Sequence, residues 1–340
     1  MAGPPAIVAV DGGNSKTDVL VVDAAGTVLG RARGGGSNHQ LFGIDAAMEA
    51  IGAAVADAMA AAGVADASSP LCGVGVYCLA GVDLPADDWR VGEAVDARRW
   101  SESSLVANDT FALWRAGSDA DWGVGVVCGT GLNCVGRAPD GATVRFPSLG
   151  ELSGDFAAGG AWLGMRGLGL ALRARDGRGA PSALEVRVPA HFGLADPEAV
   201  LDAVYGGRLG YDRLFELARV VLEAARAGDG PARAAAEQLA DEVVAMAGAA
   251  IRRLHLEATP VEVVLGGGVF DTEDAAFTAR VGAGITAVAP RAQVHVAQAR
   301  PVVGAALLGV DQLERSGSLS ADGARVARQR LREAPSPASP

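Results

Sequence analysis

The opening of the chain alternates short apolar runs with polar breaks at strand spacing. Residues 7–10 and 18–22 are runs rich in β-branched side chains with the length of buried strands, and after the Asp23-Ala24-Ala25-Gly26 turn a third covers 27–31. Across 43–62 the apolar positions recur at helical spacing (Ala47, Ile51, Ala54, Val55, Ala58), which predicts a helix. Strands are expected again at 71–80 and 104–107, with a helix between them and another over 111–116. The order is a three-stranded meander, then helix, strand, helix, strand, helix.

Near 122 the pattern restarts. A strand over 123–127, a Gly-rich turn over 128–133, a second strand over 134–137, the Pro139-Asp140-Gly141 turn and a third strand over 143–146 repeat the first meander. Such self-similarity reads as an internal duplication. Longer helical stretches follow at 157–174, 198–204, 211–226 and 231–256, then a buried strand at 261–265 that runs into Gly266-Gly267-Gly268. An apolar helix over 301–314 is expected to pack back on the first half. From 317 Ser, Gly and Arg alternate and the chain ends Pro-Ser-Pro-Ala-Ser-Pro, a composition that predicts a mostly disordered tail over 317–340. The expected division is an N-terminal domain over 6–117 and a C-terminal domain over 118–316.

Composition narrows the function classes. With 340 residues, 50% of them hydrophobic, the chain can bury two cores; with aromatics at 5%, Ala, Val, Leu and Gly must do most of the packing. A net charge of −11 argues against nucleic acid or an anionic membrane surface as partner. The N-terminus lacks the basic and apolar regions of a signal peptide, and no apolar run reaches the roughly 20 residues that span a bilayer, so a cytoplasmic protein is expected. Cysteines at 72, 78, 128 and 134 are spaced C-x5-C on strand-like sequence, unlike C-x2-C zinc or redox sites, and read as buried free thiols. Of the 29 Lys and Arg residues a single one, Lys16, is lysine, and it falls in the first Gly-rich turn.

That turn, Asp11-Gly12-Gly13-Asn14-Ser15-Lys16-Thr17, joins two strands, so it is neither a Walker A loop nor a dinucleotide fingerprint, both of which open a helix. Its glycines let the backbone approach an anion closely. Asn14, Ser15, Lys16 and Thr17 add side-chain donors, and Asp11 suits a hydrated magnesium ion. A plain hairpin loop explains one such turn equally well. A second, Gly129-Thr130-Gly131-Leu132-Asn133, recurs in the same context, and two donor-rich hairpins make a phosphate clamp. Gly266-Gly267-Gly268 after a buried strand suits close approach to a flat ligand such as adenine. Asp109, where an apolar strand breaks between Asn108 and Thr110, is either a general base or a helix cap on local sequence alone. Asp83, Asp87 and Asp88 read as a solvated acidic loop.

Taken in order, Val10-Asp11-Gly12-Gly13 with Lys16-Thr17, Ser37-Asn38-His39, Asn108-Asp109-Thr110, Gly129-Thr130-Gly131-x-Asn133-Cys134, Gly154-Asp155 and Leu265-Gly266-Gly267-Gly268 resemble the BadF/BadG/BcrA/BcrD ATPase family and its N-acetylglucosamine kinase-like members. The resemblance covers about residues 6–315. It implies an α/β actin-like (ribonuclease H-like) fold of two duplicated domains, each a five-stranded mixed sheet with helices, and ATP with Mg²⁺ held between them. It further implies an ATP-dependent kinase acting on an amino sugar, N-acetylglucosamine foremost, with Asp109 as base. Asn38, His39, Asn108, Thr130, Glu151, Gly154 and Asp155 would meet the sugar; a homodimer is compatible with it. The chain departs from mammalian members around Leu149-Gly150-Glu151 and Phe156-Ala157-Ala158, on the sugar side. Two other readings are a glucosamine kinase and an ATPase that activates a dehydratase or reductase through an iron–sulfur cluster, which calls for exposed cysteines. A non-catalytic sugar sensor or actin-like scaffold is a third.

Overall fold

The computed structural model describes residues 3–64 and 70–334. Along the chain run β1 (Pro5–Gly12), β2 (Thr17–Asp23), β3 (Val28–Gly34), α1 (His39–Phe42), α2 (Ile44–Ala61), β4 (Cys72–Leu79), α3 (Pro85–Arg98), β5 (Ser101–Asn108) and α4 (Asp109–Gly117). Then come β6 (Gly123–Cys128), β7 (Leu132–Arg137), β8 (Thr143–Arg145), α5 (Gly159–Arg175), α6 (Leu184–His191), α7 (Pro197–Tyr205), α8 (Leu217–Arg226) and α9 (Gly230–Arg253). The last elements are β9 (Glu262–Gly266), α10 (Ala275–Val288), β10 (Gln293–Val296), α11 (Pro301–Arg315) and α12 (Ala321–Glu333). Two units form: one up to Asp121 and again from Ala297 onward, the other Trp122–Val296. The helix expected to pack back, α11, belongs to the first unit, so the chain crosses between the units twice.

Each unit holds one five-stranded sheet, and the two sheets share one plan: order β3-β2-β1-β4-β5 in the first and β8-β7-β6-β9-β10 in the second. In both, the meander strands pair antiparallel and the remaining pairs are parallel. This is the α/β plan of two matched mixed sheets that the repeated meander foretells. β2 is buried on both faces, as its Val19-Leu20-Val21-Val22 run requires. In the first unit Met48, Ile51, Val55 and Met59 of α2 cover one face of the sheet, and Val302, Ala306 and Val310 of α11 cover the other.

Small residues set how closely the helices approach. A Cβ on Gly30 would lie 2.1 Å from the Ala58 carbonyl oxygen, and one on Gly304 would lie 1.8 Å from that of Ala112. Helix α11 therefore rests on the backbone of α4. With few aromatics, this chain gains its packing from close backbone approach rather than from large side chains.

The tail departs from expectation: instead of disorder from 317, α12 forms and buries Ala324, Ala327 and Leu331. Its arginines supply the rest. Arg328 Nε and Arg115 Nε donate to the two oxygens of the Asp311 carboxylate at 2.9 and 2.8 Å, and Arg332 donates to the Ala116 and Ser118 carbonyls at 3.0 Å each. Burial alone would raise the Asp311 pKa, but the two guanidinium partners hold it below the ordinary carboxylate range. The closing Pro-Ser repeat lies outside the described residues. The hydrophobic pattern also does not reveal α6, α10 or the edge strand β10, and the helical stretch 211–226 divides into a 3₁₀ turn, Tyr211–Glu216, and α8.

Candidate active site

Three parallel strands of the first unit end level: Gly12 pairs with Leu79, and Leu79 with Asn108. Ligands in open α/β sheets sit at the carboxyl ends of such strands, and the candidate residues of this unit gather there. The β1–β2 turn is held from behind. Gly13 N–H donates to the Lys16 carbonyl, Ser37 N–H to the Gly13 carbonyl, and the buried Thr17 hydroxyl to the Gly35 carbonyl at 2.7 Å, with the Ser37 hydroxyl bonded to it at 2.8 Å. Thr17 thus braces the turn from behind, with its hydroxyl proton committed to the Gly35 carbonyl. Gly12 is demanded by space, since a Cβ there would meet Ser37 Oγ at 2.4 Å and Leu79 Cδ2 at 2.6 Å. Ser15, at the tip, is exposed.

Lys16 bridges two carboxylates. Its Nζ lies 3.0 Å from Asp11 Oδ2 and also contacts Asp18, which Arg33 grips from the other side. Burial works against the ammonium charge, yet the two carboxylates hold the Lys16 pKa above its ordinary value. Burial pushes Asp11 up, and Lys16 offsets that only partly. Among the described residues no group of three or more His, Cys, Asp or Glu could enclose a metal ion. A buried carboxylate with a neighbour fits Mg²⁺, which is usually bound through one or two carboxylates, water and substrate phosphates rather than an all-protein cage.

At the start of α4 the two readings of Asp109 separate. The N-cap is Asn108, whose Oδ1 accepts from Thr110 N at 2.9 Å, leaving Asp109 as the first helical residue. The Asp109 carboxyl has its pKa pushed up to about 7, chiefly by burial and then by the negative charges of Asp11 and Asp83; the helix-start N–H groups of Thr110 and Asp109 pull only weakly the other way. A carboxylate so poised takes a proton readily near neutral pH. Thr110 is fully buried, and its hydroxyl has no partner among the described residues.

Asp83 and Asp87, expected in a solvated loop, are 6% and 7% exposed. Asp83 accepts from Asn108 Nδ2 at 2.8 Å and from Gln40 Nε2 at 3.2 Å. Asp87, in the first turn of α3, accepts from Leu84 N at 2.9 Å and lies 3.3 Å from His39 Nε2. His39 is therefore committed to Asp87 on one ring nitrogen. Asn38 caps α1 through Gln40 N and donates to Asn14 Oδ1 at 2.8 Å, tying the glycine turn to the expected sugar loop. Gly81 (φ +88°) leaves the room Asn38 needs, since a Cβ there would sit 2.4 Å from Asn38 Oδ1.

The second unit presents its candidates mainly as backbone. The β6–β7 turn is closed by Gly129 N–H to the Gly131 carbonyl, and it seats the start of α5 through Gly160 N–H to the Gly129 carbonyl and Ala161 N–H to the Thr130 carbonyl. Side chains are excluded there. A Cβ on Gly159 would lie 2.4 Å from Gly131, and one on Gly267 (φ +96°) 2.7 Å from the Cys128 carbonyl. Gly159 and Gly160 pack directly on this turn although no motif includes them; the Ala-Ala-Gly-Gly run entering a helix is their signal. Thr130, Gly131 and Gly268 are exposed, Gly266 is buried, and Asn133 Oδ1 accepts from Cys134 N.

Asp155 is buried after the αL residue Gly154, accepts from the Ser153 hydroxyl, and is flanked by the exposed Leu152 and Phe156. Glu151 is exposed. Just upstream Ser148 holds φ +51°, costly for a non-glycine residue, with its buried hydroxyl unpartnered among the described residues. Glu242 of α9, absent from the motifs, has its pKa raised by burial and by the charge of Asp155, while accepting from Phe156 N–H. All four cysteines are free and buried; burial drives the Cys72 and Cys128 thiols to about 12 and raises Cys78 and Cys134 as well. No helix among the described residues is long and apolar enough to cross a membrane.

Known proteins resemble this chain in sequence and fold. The chain is 24% identical over 266 residues to an N-acetylmuramic acid/N-acetylglucosamine kinase of Clostridium acetobutylicum, covering 78% of this chain and 85% of that one. It is 25% identical over 257 residues to an N-acetyl-D-glucosamine kinase of Dictyostelium discoideum, covering 74% and 80%. A solved Chromobacterium violaceum protein, provisionally described as an N-acetylglucosamine kinase, superposes with a TM-score of 0.71 at 27% identity, over 90% of this chain and 99% of that one. A Streptomyces griseus ROK family glucokinase, solved with glucose and AMPPNP, shares the fold at a TM-score of 0.54 and 21% identity, over 89% and 98%. The model of the BadF/BadG/BcrA/BcrD ATPase family matches residues 8–309, and the chain belongs to that family.

Proposed function

We propose that this protein is an ATP-dependent amino-sugar kinase that converts N-acetylglucosamine to its 6-phosphate, with Asp109 as general base. The observation that carries the reading is the state of Asp109: it is relieved of capping by Asn108, and its pKa is pushed up to about 7 by burial and then by the charges of Asp11 and Asp83. The 6-hydroxyl proton passes to the Asp109 carboxylate as the hydroxyl oxygen attacks the γ-phosphorus, and ADP leaves. The tips of the two glycine turns, around Asn14 and Ser15 in the first and Thr130 and Gly131 in the second, take the phosphates, and Gly266, Gly267 and Gly268 take the base. Asp11 would hold Mg²⁺, which when bound neutralises charge on the phosphate oxygens. Asn38 and Asp155 accept sugar hydroxyls, and the exposed Leu152 and Phe156 beside Asp155 offer apolar surface for an acetamido methyl, favouring the N-acetylated sugar over the free amine.

The cluster-bearing ATPase reading lacks its ligands, because every cysteine here is buried. A coupled ADP-release assay with N-acetylglucosamine, N-acetylmuramic acid, glucosamine, N-acetylmannosamine and glucose tests the proposal. Turnover fastest on N-acetylglucosamine, with a 6-phosphate product by phosphorus NMR, is the expected result. Absence of sugar-dependent ADP release across the panel would overturn it.

A further inference from the structure

We propose that Asp83 is a positioning residue for the phosphoryl-transfer base, joining the sugar loop to the start of α4; this rests on the kinase reading with Asp109 as base. Asp83 follows β4 directly, beyond Gly81, and both of its carboxylate oxygens are engaged. One accepts from Asn108 Nδ2 at 2.8 Å and the other from Gln40 Nε2 at 3.2 Å. Asn108 is in turn the N-cap of α4, so the rotamer that caps the helix is the rotamer that Asp83 fixes. Gln40 also donates to the Gly81 carbonyl at 2.9 Å, which closes the loop around Asp83, and its backbone N–H is held by Asn38. A continuous chain therefore runs from Asn14 in the glycine turn through Asn38, Gln40, Asp83 and Asn108 to the helix that begins with Asp109.

The placement is expensive for a purely structural role. A buried carboxylate loses several kcal/mol of hydration, and well-packed apolar residues serve stability as well or better. Asp83 is 6% exposed, and its charge acts against ionisation of Asp109. Such a group is retained where orientation of its partners matters. Asp87 secures the same segment from below, through the backbone N–H groups of Asp83 and Leu84 and through His39. Asp83 touches neither reacting atom in this account: it acts through Asn108.

The test compares Asp83→Ala and Asp83→Asn. Loss of the anchor in Asp83→Ala lets the start of α4 drift, and kcat falls at least ~10-fold while the KM for ATP stays within about 3-fold. Asp83→Asn keeps an oxygen for Asn108 Nδ2 and gives up only the longer bond from Gln40, which still holds the Gly81 carbonyl, so kcat returns to within about 3-fold of wild type. Independently of turnover, amide hydrogen exchange over residues 109–113 speeds in Asp83→Ala and stays slow in Asp83→Asn. If Asp83→Ala does not fold, Asp83→Ser, too short to reach Asn108, replaces it with the same expectations. Unchanged kcat in the truncated variant, an Asn variant as impaired as the Ala variant, or unchanged exchange at the start of α4 would each overturn the assignment. Wild-type turnover and the Asp109 variant report on the kinase reading itself, and the exchange measurement stands whether or not a sugar is turned over.

Discussion

The two units repeat one sheet plan but equip it differently. At the strand ends of the first lie carboxylates and their partners: Asp11 with Lys16, Asp18 with Arg33, Asp83 with Asn108, and Asp109. At the matching turn of the second lie glycines pressed so close that a single methyl on Gly159 or Gly267 would overlap backbone. The same hairpin carries carboxylates and their partners in the first unit and closely packed glycines in the second, and the proposed kinase would use the first for proton and metal chemistry and the second for backbone contact. Changes at Asp109 in the first unit should therefore fall on kcat, and changes at the packed glycines of the second on KM.

The largest expected effect is at Asp109. Replacing it with Asn removes the base, and kcat should drop by roughly 10²–10⁴-fold with ATP affinity retained, measured by the coupled assay and by calorimetric titration of ATP. In the second unit, Asp155→Ala should raise the sugar KM at least ~10-fold and leave the KM for ATP within about 2-fold. Gly267→Ala combines a disfavoured positive φ with overlap on Cys128, so the KM for ATP should rise and unfolding stability fall by about 2 kcal/mol in a urea titration. If Gly267→Ala lowered kcat alone, the division of labour would be wrong.

The smallest effect concerns stability. The folded pKa of Asp109, about 7, lies above the unfolded carboxylate value of about 3.9. Its contribution is fully present below about pH 4 and is lost as pH rises towards about 7, because the buried carboxyl must then ionise. Asp109→Asn escapes that loss. Its Tm should exceed that of wild type by a few degrees at about pH 8, and the gap should close near about pH 4 by calorimetry. A gap that widened towards low pH would reverse the sign and refute the half-buried, charge-opposed carboxyl.

Much of this was legible in the sequence for a physical reason. Strands such as β2 are continuous β-branched runs, and hairpin tips need glycine, so both announce themselves locally. The identity of the Asn108-Asp109-Thr110 break was visible too, although only the structure shows that Asn108 and not Asp109 is the cap. Asp83 and Asp87 were illegible because their partners lie far along the chain: Asn108 is 25 residues from Asp83 and His39 is 48 from Asp87. Acids beside a proline look solvated until those partners are known. The one local hint was Asp87 at the third position of a helix opened by Pro85. Helix α12 hid behind its polar composition, since Ala324, Ala327 and Leu331 make a thin stripe and the ion pairs to Asp311 are tertiary. Gly159 and Gly160 matter through backbone that no side-chain motif records.

The claim on which the rest depends is that a half-buried carboxylate in the first unit takes the sugar proton. The pH profile of kcat/KM for N-acetylglucosamine, followed from about pH 5 to about pH 9 in wild type and in Asp109→Asn, tests it most directly. The account predicts a wild-type rate that climbs through a single ionisation near 7 and an Asn variant whose residual rate lacks that step. A wild-type profile flat across the acid range, or the same step persisting in the variant, would contradict it.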